Sequence, residues 1–202
     1  MTDLTQPHPD GPLLLIDIDG VLNAFDARRL DRHQHKAQAG PYVVVLDRRH
    51  PAWFRTLAEH AELRWATMWQ AQAATTFGSV AGIGTDWPYL DFDSVWLHRT
   101  VGRTGVGVGG YKWPLIEQCG ESARPLVWID DDMTDRHLAW ARRRDAEGTP
   151  TLFVRPHPAR GFTENQYAAV LSFVREAAGV APRREKVQPR RNPFSSRARG
   201  TP

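Results

Sequence analysis

Leu13–Ile16 is an unbroken apolar run, and it stops at Asp17-Ile18-Asp19-Gly20. Four consecutive aliphatic residues suit a strand buried on both faces, the kind found in a parallel sheet covered by helices. Two carboxylates at its end do not suit burial, because a buried charge is costly unless it is paired or bound to metal. This stretch therefore predicts a strand that delivers its chain into a polar site. The rest of the chain has to supply the partners.

The same kind of strand recurs along the sequence. Tyr42–Leu46, Leu63–Ala66, Ser94–Leu97, Leu126–Ile129 and Leu152–Val154 are short apolar runs of strand type. Helical patterns stand between them. Pro51 opens a helix with Trp53, Phe54, Leu57, Ala58 and Ala61 on its stripe, and another helix begins at Gln70–Ala74. Pro114 is expected to open a short helix through Cys119, stopped by Gly120, and a further helix runs over Arg136–Glu147 before Gly148. Thr163 and Gln166 have capping-box spacing before an amphipathic helix carrying Tyr167, Val170, Leu171 and Val174. The segment Asp26–Gly40 is polar, with no clear period. Strands alternating with helices indicate an α/β fold with a mainly parallel sheet.

Length and charge bound the organisation. At 202 residues the chain is expected to be one domain over residues 13–180, after a loose leader over 1–12 that holds three prolines. From Ala181 to the end there are seven Lys or Arg and one Glu, so this tail carries the positive charge. Its Pro, Arg and Ser content predicts a solvated basic tail, or alternatively an arm for nucleic acid. The lone Cys119 excludes an internal disulfide framework and a cysteine zinc cluster. No apolar run approaches the ~20 residues that cross a bilayer, and the first residues lack a secretory pattern. A cytoplasmic protein that does not engage membranes is the simplest expectation. Gly105, Gly107 and Gly110 match G-x-G-x-x-G, but they sit in a long loop rather than at a strand-to-helix turn, so a flexible connector is expected there.

Three of the strands end at a reactive group: LLLI at Asp17, LRWA at Thr67 and LVWI at Asp130-Asp131-Asp132. In an open parallel sheet, ligands bind beyond the carboxyl ends of the strands, so these three ends are expected to share one crevice. Lys112, between the glycine-rich loop and Pro114, adds a cation. Each residue alone has an ordinary reading: a loop pair, a strand threonine, a solvated lysine, a helix cap. Their order, their placement at strand ends and their charge complementarity together point to a site.

These motifs resemble the haloacid dehalogenase (HAD) superfamily of phosphoryl-transfer enzymes. LLLIDIDGVLN resembles its first motif, LRWAT its second, the Lys112 of YKWP its third and LVWIDDD its fourth. They stand in the family's order over roughly Leu13 to Ala178. GVLN, WATMWQ, KWP and WIDDD further resemble the small domains of this superfamily associated with multidomain RNA repair proteins. The resemblance implies a HAD-like, Rossmann-like three-layer sandwich with a minimal cap or none.

It also implies a mechanism. Asp17 is the nucleophile that forms an aspartyl-phosphate, and Asp19 is the acid and then the base. Thr67 binds a phosphoryl oxygen, and Lys112 offsets charge. Mg²⁺ is held by Asp17, the Asp19 backbone carbonyl, and Asp130 or Asp131, with Asp131 and Asp135 as the alternative acidic pair. The expected partner is a phosphorylated substrate, with RNA or DNA ends favoured over small esters. A receiver domain is disfavoured by motif order, while a non-catalytic nucleic-acid-binding module acting through the basic tail stays as the alternative. A single tryptophan near the site, such as Trp65, Trp69 or Trp113, is a candidate for stacking a nucleobase.

Overall fold

The computed structural model describes residues 11–91 and 109–179, and the predicted strand Ser94–Leu97, the leader and the basic tail lie outside them. The described chain is α/β. Strands β1 (Leu13–Ile16), β4 (Glu62–Trp65), β5 (Leu126–Ile129) and β6 (Thr151–Val154) form one parallel sheet in the order β4-β1-β5-β6. A separate antiparallel hairpin, β2 (Gln34–Ala39) and β3 (Tyr42–Asp47), stands between β1 and helix α1 (His50–Ala58). Helix α2 (Ser79–Ala81) follows β4. Helix α3 (Gly109–Glu121) precedes β5, α4 (Asp135–Ala146) joins β5 to β6, and α5 (Glu164–Ala177) follows β6.

Strand alternation sorts the core into two halves. Leu14, Ile16, Leu63, Trp65, Val127 and Ile129 face one side, where Phe54 and Leu57 of α1 and Val170 and Val174 of α5 cover them. Leu13, Leu15, Leu126 and Trp128 face the other, against Ile116 of α3 and Leu138 and Trp140 of α4. Helices therefore flank the sheet on both faces, as the apolar runs required. Leu14, Leu15 and Ile16 are fully buried, a contribution of roughly 1.5–3 kcal/mol for each side chain. Among the described residues no helix is long and apolar enough to cross a membrane.

Several boundaries differ from the sequence reading. Strand β2 lies in the polar segment that showed no period: its inward residues are His35, Ala37 and Ala39, which do not register as an apolar stripe, and β3 supplies the pairing. Gly40 takes a positive φ of 57° and joins the two strands through Gly40-Pro41, the residue order of a type II′ hairpin turn. The helix expected from Gln70 is a π-helical segment, Ala73–Gly78, that runs into α2. Helix α3 begins at Gly109 and keeps Pro114 inside it, so Gly110 belongs to a helix rather than to a connector. Gly120 does not stop α3. It lies within the helix because the Trp140 ring occupies the space where a Cβ would stand. The box at Thr163 forms as read, with the Thr163 N–H donating to Gln166 Oε1 at 2.9 Å.

His50, at the start of α1, is buried among Trp53, Phe54 and Phe162, and its Nε2 meets the Phe162 carbonyl at 3.0 Å. A carbonyl only accepts, so Nε2 carries the proton of a neutral imidazole. Burial pushes its pKa below the ordinary histidine value. The folded state thus binds fewer protons there than the unfolded chain, and this contribution to stability is lost as pH falls below about 6.5. Denaturant unfolding at pH 7.5 and pH 5.5 should show the loss, at up to about 1.4 kcal/mol per pH unit from this group. His50→Gln, which keeps a donor but cannot ionise, should flatten the slope. An unchanged slope would remove His50 as its cause.

Candidate active site

The sheet register brings the predicted strand ends level. Ile16 pairs with Trp65 on one side and with Ile129 on the other. One position further, the Asp17 N–H donates to the Ile129 carbonyl (3.0 Å), the Ala66 N–H to that of Ile16 (2.8 Å) and the Asp130 N–H to that of Val154 (3.1 Å). Asp17, Ala66-Thr67 and Asp130 therefore leave the sheet together at its carboxyl edge. They do so around β1, whose neighbours β4 and β5 lie on opposite sides, and that is where an open sheet forms its crevice.

Lys112, in the first turn of α3, is buried between two of these groups. Its Nζ lies 2.6 Å from Asp17 Oδ2 and 2.7 Å from Asp130 Oδ2, and its side chain is 2% exposed. Burial opposes the ammonium charge, but Asp17 and Asp130 outweigh it and raise the lysine pKa above its usual value. Burial raises Asp17 to about 7, with Lys112 pulling it down and Asp130 pushing it up. Asp130 is raised chiefly by burial and held back by Lys112. It also accepts the Asp132 N–H at Oδ1 (2.9 Å), which ties the turn after β5 to the same carboxylate.

Asp131 completes the cluster. Oxygens of Asp17, Asp130 and Asp131 all lie within 4.8 Å of one another. Burial and the charge of Asp17 raise Asp131 to about 6. Its carboxylate fills the space directly above Gly20, so a Cβ there would collide with it, and Gly20 has φ +74°. The glycine therefore does two things: it turns the chain after Asp19, and it leaves room for the third carboxylate. One lysine against three acids leaves negative charge uncompensated in a small all-oxygen cluster. That donor set fits a hard divalent cation such as Mg²⁺. Asp135, the alternative acidic partner, does not join it. Its side chain is 96% exposed and faces Arg155 at 3.8 Å.

Asp19 has a different environment. Its Oδ1 accepts from Asn23 Nδ2 (2.8 Å) and its Oδ2 from the Trp69 indole N–H (2.9 Å). Asn23 is anchored in turn by the Val45 N–H of the hairpin (2.9 Å). The two aspartates of D-x-D are thus separated by chemistry: Asp17 faces the lysine and the acid cluster, while Asp19 faces neutral donors. Thr67 is buried, and among the described residues its hydroxyl has only a long 3.5 Å contact from the Trp69 amide. Sequence reasoning missed the tasks of Asn23 and Trp69. The available signal was a polar aromatic two residues past Thr67, and an asparagine four past Asp19.

Arg144 supports this arrangement from behind. Its guanidinium donates to the carbonyls of Gly120 (2.9 Å), Ser122 (2.6 Å) and Arg124 (2.8 Å), holding the end of α3 against the start of β5. No protein-family model, no curated protein and no solved structure matches the chain.

Gly20→Ala should show the cost of filling the site. The methyl group must displace Asp131 and strain the turn, lowering stability by about 1–3 kcal/mol. Calorimetric titration with Mg²⁺ should find binding at least about tenfold weaker. Unchanged Mg²⁺ binding would mean that Asp131 is not part of the cation site. Lys112→Met should also destabilise the fold at neutral pH by about 3–5 kcal/mol, since it leaves two buried carboxylates facing each other. Burial therefore gives Lys112 a structural task beyond the charge compensation read from sequence. Full stability of this variant in denaturant unfolding would contradict it.

Proposed function

We propose that the chain is a Mg²⁺-dependent phosphomonoester hydrolase that works through an aspartyl-phosphate on Asp17, and that its substrate is the terminal phosphate of a nucleic acid. The observation that carries this reading is the Asp17–Lys112–Asp130 chain of contacts, with Asp131 above Gly20, at the carboxyl ends of adjacent parallel strands. The motif resemblance to the HAD superfamily supports it independently.

The residues divide the work. A carboxylate oxygen of Asp17 attacks phosphorus while the bond to the leaving oxygen breaks. Asp19, protonated for this step, gives its proton to the leaving alcohol. Ionised again, it takes a proton from the water that attacks the same phosphorus, and the bond to Asp17 breaks to release inorganic phosphate. Lys112 favours the ionised form of Asp17 against the burial that raises its pKa to about 7. Thr67 donates to a phosphoryl oxygen. Asp17, Asp130 and Asp131 would hold the Mg²⁺, with the Asp19 carbonyl as a further donor. The cation, when bound, supplies charge neutralisation for the phosphoryl group.

The preference for a polymer end rests on openness. Between β1 and β4 the chain forms only the β2–β3 hairpin and α1, so no separately folded lid stands there. A small ester is poorly enclosed by such a site, whereas the end of a strand can enter it.

Asp17→Asn should fold and lose turnover, and chelation of Mg²⁺ should abolish the activity of the native chain. Asp19→Asn should slow release, so that mass spectrometry finds phosphate retained on Asp17. Wild-type turnover in Asp17→Asn would sink the mechanism. In competition assays a phosphorylated oligonucleotide should outpace glucose 6-phosphate. The reverse order would remove the polymer-end reading while leaving the chemistry intact.

A further inference from the structure

A cleft of about 630 Å³ opens beside Asp19, and Asp17, Lys112, Asp130 and Asp131 are not among its lining residues. Tyr42 and Val43 of the hairpin form one wall, and Met68, Trp69 and Gln72 form the other. Seven large apolar side chains are exposed among the described residues, and three of them, Tyr42, Val43 and Met68, meet in this one place. Scattered exposed apolar residues need no explanation, but a cluster beside a reactive carboxylate does. The backbone is also unusual here. Gln70 lines the cleft at φ 51°, the one non-glycine residue at positive φ among those described. Such conformations persist where surrounding structure enforces them, commonly at ligand sites.

We infer that this cleft is the subsite for the leaving group, and that it takes a nucleoside, with the base against the exposed side chains of Tyr42 and Met68 and within reach of Gln72. The inference rests on the phosphohydrolase reading, because the leaving oxygen must lie next to Asp19. Three features define the occupant. Among the described residues no Lys or Arg lines the cleft, which suits a neutral leaving group better than a second phosphate. Both aromatic neighbours of Trp69 meet it edge-on, Tyr42 at 5.2 Å and Phe77 at 5.7 Å, so among the described residues no ring stacks parallel on the indole. Its indole N–H is already committed to Asp19, so Trp69 adds dispersion rather than a polar contact. The amide of Gln72 has no partner among the described residues and stands on the same wall, where it can read the edge of a base. A phosphotyrosine would use the apolar walls but has no polar edge for that amide. A sugar without a base would leave the walls empty.

The decisive comparison removes only the base. Adenosine monophosphate, as its 5′ and 3′ isomers, and ribose 5-phosphate are assayed with Mg²⁺, and their binding to Asp17→Asn protein is followed by calorimetry. The better nucleotide should exceed ribose 5-phosphate about tenfold or more in kcat/KM. Tyr42→Ala should erase that difference, chiefly through KM for the nucleotide. Equal kcat/KM for nucleotide and ribose 5-phosphate overturns the subsite and keeps the phosphohydrolase. Preference for phosphotyrosine over both nucleotides overturns it in favour of a peptide. Tyr42-dependent nucleotide binding without hydrolysis of any ester keeps the subsite and overturns the phosphohydrolase. Neither binding nor hydrolysis overturns both.

Discussion

The buried ammonium of Lys112 is the contact on which the site's geometry hangs. It joins α3 to the ends of β1 and β5 through Asp17 and Asp130, at 2.6 and 2.7 Å. Two carboxylates at adjacent strand ends repel each other in a low-dielectric interior, and burial alone drives both toward their neutral forms. The lysine reverses part of that cost and keeps a usable anion where water is scarce. In exchange, α3 must dock with its first turn over the sheet edge. Arg144 helps to secure that docking by binding three carbonyls between Gly120 and Arg124.

The remaining charge explains why the cluster is built as it is. Lys112 compensates only part of the negative charge on Asp17, Asp130 and Asp131, and the latter's carboxylate sits where any side chain at residue 20 would stand. Such a cluster is unstable as three free anions and well suited to a divalent cation. Asp19 is kept out of it by distinct partners, Asn23 and Trp69. The D-x-D pair thus has one member tuned by charges and one held by neutral donors. Two carboxylates in unlike environments can serve as nucleophile and as acid in the same turnover.

The hairpin connects this chemistry to recognition. Val45 fixes Asn23, Asn23 fixes Asp19, and two to three residues before Val45 the same strand presents Tyr42 and Val43 to the cleft. One short element therefore orients Asp19 and forms part of the cleft beside it. A displacement of the hairpin would disturb both.

The sequence by itself determined the layered α/β architecture, because fully apolar four-residue runs can only be buried strands and amphipathic stretches between them can only be their cover. It also named Asp17, Asp19, Thr67, Lys112 and the Asp130-Asp131 pair, since a charge at the end of a buried strand has few reasons to exist. It did not reveal β2, whose inward residues are a histidine and two alanines, or the start of α3, where a proline at position 114 suggested a helix beginning that lies further back. The tertiary structure alone decided between Asp130 and Asp135 as the acidic partner of Asp131, because both fit the spacing and only packing leaves Asp130 buried on Lys112 and Asp135 96% exposed. It alone assigned Trp69 to Asp19 across fifty residues of chain. Local pattern reports which residues must be buried or reactive. Which of them meet depends on strand register and helix docking, and those are set by contacts between segments distant in sequence.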